Sequence, residues 1–211
     1  MLVGIIGFII FIYSVILHEI AHGWVAERLG DPTARLSGRL TLNPIPHIDP
    51  IMSILLPAMM IFTHFPVVIG AAKPVPIDSY NFRNPKKDMG LVGLAGPATN
   101  LILALVFALL GRIFFTILPF SLLQVLANAC LLNLVLAFFN LIPVPPLDGG
   151  RVAVALLPEK TGRALASLEN IGIYLVLFLF LFPNRFFSLS SLVFNLAARI
   201  FGIIFPLSLS I

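Results

Sequence analysis

Residues 18 to 22 read His-Glu-Ile-Ala-His, two imidazoles and a carboxylate within five positions. On a helix, positions i and i+4 share a face, so His18 and His22 can reach one metal ion, as H-E-x-x-H does when it binds zinc. Glu19 stands beside them. Zinc lowers the pKa of a water it holds to about 7, and Glu19 is the base that would take the proton and pass it to a leaving amine.

A catalytic zinc needs a third protein ligand and one open position. An extended metal motif would place a histidine at position 28, but Arg28 is there, and Val25 stands where that pattern has glycine. The third ligand must come from elsewhere, and His47, Asp49, His64, Asp78, Asp88, Asp148 and Glu169 are the candidates. Asp148 is the best placed, directly after an apolar run. Pro143, Pro145 and Pro146 break the helix before it, and Gly149 and Gly150 allow a tight turn after it. Capping a helix that starts near residue 149 is the plainer role for Asp148, and it is compatible with ligation. A His₂Asp set suits zinc best, with iron or cobalt as alternatives.

These residues need elements that hold them, and composition says what kind. Of 211 residues, 59% are hydrophobic and 10% are charged, against about 25% charged in an average soluble domain. The chain is therefore read as an integral membrane protein. The net charge of +4 is spread over short loops, which sets orientation in a bilayer and gives no nucleic-acid surface. Cys130 is the single cysteine, so no internal disulfide or thiolate site is available, and it reads as a packing residue. The N-terminus lacks the basic region and small-residue site of a cleaved signal peptide.

The first apolar segment runs from about Leu2 to Ala26 and is stopped by Gly30-Asp31-Pro32. On a helix, His18 lies about 24 Å along from Leu2, and Arg28 about 9 Å beyond His22. Against a hydrocarbon core about 30 Å thick, both histidines sit in the last third of a span. Ionisable groups at that depth are costly and mark function. Residues 31–50 are polar, and the alternation at Leu36, Leu40 and Leu42 predicts a short strand or hairpin. Residues 51–70 are apolar with Pro57, Pro66 and His64, and 71–90 are polar. Apolar runs follow at 91–118, 121–142, 164–182 and 186–205.

Lys and Arg cluster after the first span, before residue 91, and in 143–163. If all three loops are cytoplasmic, the N-terminus is outside and 51–70 re-enters on one side. The expected fold is an all-α polytopic membrane protein of five to six transmembrane segments, with a small membrane-associated β-hairpin and edge-strand region. It is one domain over 1–211: a metal helix at 2–29, a loop, β and re-entrant region at 31–90, core spans at 91–142, an Asp-bearing loop at 143–163, and C-terminal spans at 164–205. Within 71–77, Ala-Ala-Lys-Pro-Val-Pro-Ile suits an edge strand that pairs with an unwound peptide. Gly93, Ala95, Gly96 and Ala98 permit close helix contact, and Asn100 reads as a partner for a freed carbonyl. His47 and Asp49 read as turn residues, His64 and Trp24 as interfacial ones.

The segments HEIAH at 18–22, GPATN at 96–100 and NLIPVPPLDGG at 140–150 resemble those of the site-2 proteases, zinc metalloproteases that cut within membranes. Most of the chain takes part in the resemblance, and it is similar to the compact subgroup without a PDZ or CBS domain. The resemblance implies one Zn²⁺ held by His18, His22 and Asp148, with Glu19 as general base and Asn140 holding substrate or oxyanion. It implies transmembrane-helix proteins or peptides as substrates, in a multi-pass protein of the cytoplasmic membrane. A homo-oligomer is left open, and compactness leans toward a prokaryotic source. The competing reading is a membrane metal-ion transporter that uses the same His/Glu/Asp cluster as a transit site. Transporters usually show repeated halves, and no repeat is present.

Overall fold

The computed structural model describes residues 2–64, 70–181 and 188–205. It places the elements in the order α1 (Leu2–Arg28), α2 (Thr33–Leu36), α3 (Leu56–Phe62), α4 (Pro85–Ile113), α5 (Phe120–Asn140), α6 (Asp148–Leu156), α7 (Glu159–Ala166), α8 (Glu169–Leu181) and α9 (Leu189–Ile204). Single turns at Ile45–His47 and Ser79–Asn81, and a wide helical turn at Pro50–Leu55 leading into α3, fill the loops.

Three of these helices, within α1, α4 and α5, are long and apolar enough to cross a membrane. The expected five to six spans are not found among the described residues. The run expected at 164–182 divides into α7 and α8, and the run at 186–205 yields α9. α8 has 13 residues and α9 has 16, about 20 and 24 Å of rise, short of a 30 Å core. Residues 65–69 and 182–187, parts of the expected re-entrant segment and C-terminal runs, lie outside the described residues.

The expected β-hairpin and edge strand also give way: no strand occurs among the described residues. Leu36 closes α2, Gly38 turns the chain at φ +65°, and Arg39 N–H returns to Ala34 O at 2.9 Å. Leu36 and Leu42 are exposed, so the alternation that suggested a strand buries no common face. Segment 71–77 is held at single points. Ala71 N–H donates to Met52 O, Lys73 N–H to His47 O, and Arg39 Nη2 to Lys73 O. Pro74 and Pro76 have no N–H with which to continue a ladder.

α4 is the central helix, packed against α1, α5 and α6. Small residues make that closeness possible. Ala104 and Ala108 of α4 meet Ala127, Cys130 and Leu134 of α5 and Ala197 and Phe201 of α9 in the main buried cluster. Cys130 is fully buried there, as a packing residue should be. Near the C-terminal end of α1, Trp24 is half exposed, with the Arg28 guanidinium 4.6 Å from its ring. Gly30, at φ +115°, ends it in a conformation that costs glycine nothing. Asp31 follows as a hub. It accepts from Thr33 N–H (3.1 Å), the Thr33 hydroxyl, Asp78 N–H (2.8 Å) and Asn81 Nδ2 (2.8 Å), and so ties residues 31–33 to 78–81.

Candidate metal centre

His18 and His22 project from one face of α1 and are nine-tenths buried. Their Nε2 atoms lie 3.1 Å apart. Asp148 Oδ2 is 3.1 Å from the first and 3.2 Å from the second. Among the described residues, this is the group of three His, Cys, Asp or Glu side chains whose ligand atoms converge. Zinc bonds of about 2.0–2.1 Å put tetrahedral ligands about 3.3–3.4 Å apart, so the triangle is close to the size such an ion requires.

Hydrogen bonding at the far side of each ring decides which nitrogen faces the triangle. His22 Nδ1 is 2.7 Å from Val92 O, which only accepts, so this nitrogen carries the proton. Val92 lies in the turn of α4 where Pro97 lacks the N–H that would bond Gly93 O. His18 Nδ1 meets Asn100 Oδ1. Both Nε2 lone pairs then point at the Asp148 carboxylate, an arrangement that suits a cation and orients ligating histidines.

Asp148 reaches this point because α5 stops at Asn140 and the chain folds back in a tight proline turn. Leu147 N–H returns to Val144 O at 3.1 Å, and Gly150 N–H to Leu147 O at 2.9 Å. A Cβ on Gly149 would sit 2.2 Å from Leu141 O, and one on Gly150 would sit 2.2 Å from Pro145 N. Leu147 is the N-cap of α6 and Asp148 is its first residue, so the capping role weighed against ligation is not the one Asp148 fills. Its other oxygen lies 3.8 Å from Arg151 Nη1. Arg151 lines a cleft of about 350 Å³ that opens beside Pro145, Lys86 and Glu159.

Gly96 forms the floor of the site. A Cβ there would stand 2.4 Å from His22 Nε2 and 2.5 Å from His18 Nε2. No solved structure matches the chain. The family model for peptidase family M50 matches residues 116–183. A Bacillus subtilis protein named "Putative zinc metalloprotease YwhC" is 39% identical over 179 residues, covering 82% of this chain and 78% of its own. The chain belongs to peptidase family M50, the site-2 proteases. The Mycobacterium tuberculosis protein named "Putative zinc metalloprotease Rip2" is 33% identical over 171 residues, 81% of this chain and 64% of its own.

In this M50 peptidase, the other candidates for third ligand are engaged elsewhere. His47 Nε2 donates to Thr41 O, and Asp49 accepts from Ile51 and Met52 N–H, both turn roles. Asp78 caps the turn at Tyr80, and Asp88 accepts from Asn84 N–H. His64 and Glu169 lie on the surface. Glu19 Oε2 accepts from Val75 N–H at 2.9 Å, so segment 71–77 rests against it. Asn140 Nδ2 donates to Leu136 O within its own helix. Asn100 does not serve a carbonyl, as expected, but His18. The sequence reading gave no place to Ser14 and Asn133, although an amide within an apolar span is itself a signal.

Proposed function

We propose that this M50 peptidase is a zinc-dependent intramembrane endopeptidase that hydrolyses peptide bonds within or near transmembrane helices of membrane-protein substrates. The observation that carries the reading is the buried triangle of His18 Nε2, His22 Nε2 and Asp148 Oδ2, whose two histidines stand on α1, a helix long and apolar enough to span a bilayer. Two imidazoles and a carboxylate suit zinc, and the relatives' names agree. Bound there, zinc supplies Lewis acidity and lowers the pKa of water to about 7.

The chain's own groups do the rest. His18, His22 and Asp148 hold the ion, and Gly96 leaves room for the two rings. Val75 N–H steadies the Glu19 carboxylate, which accepts the proton of the attacking water and delivers it to the leaving amine. Asn140 holds the substrate after exchanging its bond to Leu136 O. Water enters from the cleft at Arg151, which borders Asp148. The protein is multi-pass in the cytoplasmic membrane, with its N-terminus outside; Arg28, Arg35 and Arg39 after the first span support that orientation.

The test is cleavage of a single-span substrate in liposomes, with metal content measured alongside. Wild type should cut within the span. Glu19→Gln should be inactive yet loaded with zinc, and Asp148→Ala should lose the metal. Zinc crossing the liposome with no cleavage of a substrate panel, unaffected by Glu19→Gln, would overturn the peptidase reading in favour of transport.

A further inference from the structure

His18 offers Nε2 to a metal only while its proton sits on Nδ1. An opposing choice is built into the site. Asp148 Oδ2, 3.1 Å from Nε2, would take that proton in the metal-free chain and close the ligand position. What holds the proton on Nδ1 is the oxygen of Asn100, but an amide can present either of its ends. The end it presents is decided outside the site.

Asn133, fully buried midway along α5, lies 2.9 Å from Ala129 O. That carbonyl only accepts, so Nδ2 of Asn133 must face it. The same Nδ2 donates to Ser14 Oγ of α1 at 3.0 Å. Asn133 Oδ1 is then the atom facing Asn100, and it accepts from Asn100 Nδ2 at 2.9 Å. Asn100 is left with Oδ1 toward His18 Nδ1. Each amide in the series has one orientation, and a main-chain carbonyl two helices away sets them all.

We propose that Asn133, anchored by Ala129 O and Ser14, is a positioning residue that acts through Asn100 to keep His18 in the Nδ1–H tautomer with Nε2 open to the metal. The proposal rests on the reading of His18 as a metal ligand and deepens it. Without Asn133, the Asn100 amide is free to turn its Nδ2 toward His18, and the ring moves its proton to Nε2 against Asp148. His22 supplies an internal reference, because its Nδ1 is held by Val92 O and owes nothing to Asn133.

The experiment is ¹⁵N NMR of the histidine rings in the full-length, metal-free chain in nanodiscs, above the pH of imidazole titration, with zinc titration of the same samples. In wild type, Nδ1 of His18 and of His22 should both be protonated. In Asn133→Ala, Nδ1–H should fall at His18 and persist at His22, with zinc affinity roughly 10–100-fold weaker, as for other outer partners of metal histidines. Leu134→Ala, a neighbouring buried truncation, should lower stability and leave both tautomers alone. A folded Asn133→Ala chain with wild-type tautomer and affinity overturns the proposal. So does a bare Nδ1 at His18 in wild type, which needs no variant to fold. Neither readout uses cleavage, so a chain that shows the relay and cuts nothing sinks the peptidase reading alone.

Discussion

Gly96→Ala isolates what the floor of the metal centre does. The added methyl carbon would lie 2.4 Å from His22 Nε2, 2.5 Å from His18 Nε2 and 2.5 Å from His18 Cε1, where ordinary contact begins at 3.4 Å. Both rings must retreat by about 1 Å, against a tolerance of about 0.2 Å in metal–ligand distance. Neither ring can do so and keep its Nδ1 bond, to Asn100 for His18 and to Val92 O for His22. Overpacking costs about 1–3 kcal/mol, while replacing a helical glycine by alanine returns about 0.5–1 kcal/mol. The net change in stability is therefore small, about 0–2.5 kcal/mol, whereas zinc affinity should drop by roughly 100-fold or more, beyond the usual effect of an outer partner. The assay is competition with a chromophoric chelator, run beside thermal unfolding of the same preparation. Gly7→Ala is the control, since nothing lies within 4 Å of its added carbon. A Gly96→Ala protein that binds zinc as wild type does would show that the rings are not packed against α4 as described, and the reasoning from Gly96 would fail.

Two further outcomes follow from the turn and the hub. Gly149→Ala drives a methyl to 2.2 Å from Leu141 O and 2.3 Å from its carbonyl carbon, both main-chain atoms. It should lower stability by roughly 1–3 kcal/mol and reduce zinc content by displacing Asp148, whereas Gly202→Ala, in open space, should do neither. Burial would raise the Asp31 pKa, but hydrogen bonds from Thr33, Asn81 and Asp78 overcome it and lower the folded-state value below 3.8. Its contribution is thus present above pH 3.8 and lost as pH falls through the lower folded-state value. Asp31→Ala should destabilise the fold by roughly 2–4 kcal/mol at neutral pH. The difference from wild type should narrow on acidification below 3.8, followed by thermal unfolding across pH; a constant difference would refute the assignment.

The sequence by itself was enough to point to the proposed chemistry. His18, Glu19 and His22 are local on one helix, so their geometry follows from a period of 3.6 residues, and their depth follows from the apolar run before them. Asp148 was legible because prolines and glycines around it dictate a turn at the end of a span. The composition fixed the membrane setting for the same reason: local preference and hydropathy need no partner. What failed was the reading of segments whose pattern is shared by several structures. The Leu36–Leu42 alternation served a helical turn and a loop, because Gly38 turned the chain and Arg39 tied it to Ala34 and Lys73. Among the described residues, the C-terminal apolar runs gave helices of 13 and 16 residues, α8 and α9.

Only the tertiary structure decided how the proposed ligands are held. The convergence of Asp148 Oδ2 on the two histidines, the floor at Gly96, the bond from Val75 to Glu19 and the amide series from Asn133 to His18 all join residues far apart in the chain. Asn133 and Ser14 are 119 positions apart, and His18 and Asn100 are 82 apart. No periodicity encodes such pairs. They exist because α4 packs closely enough against α1 and α5 for short side chains to meet, and glycine and alanine at the contacts permit that approach.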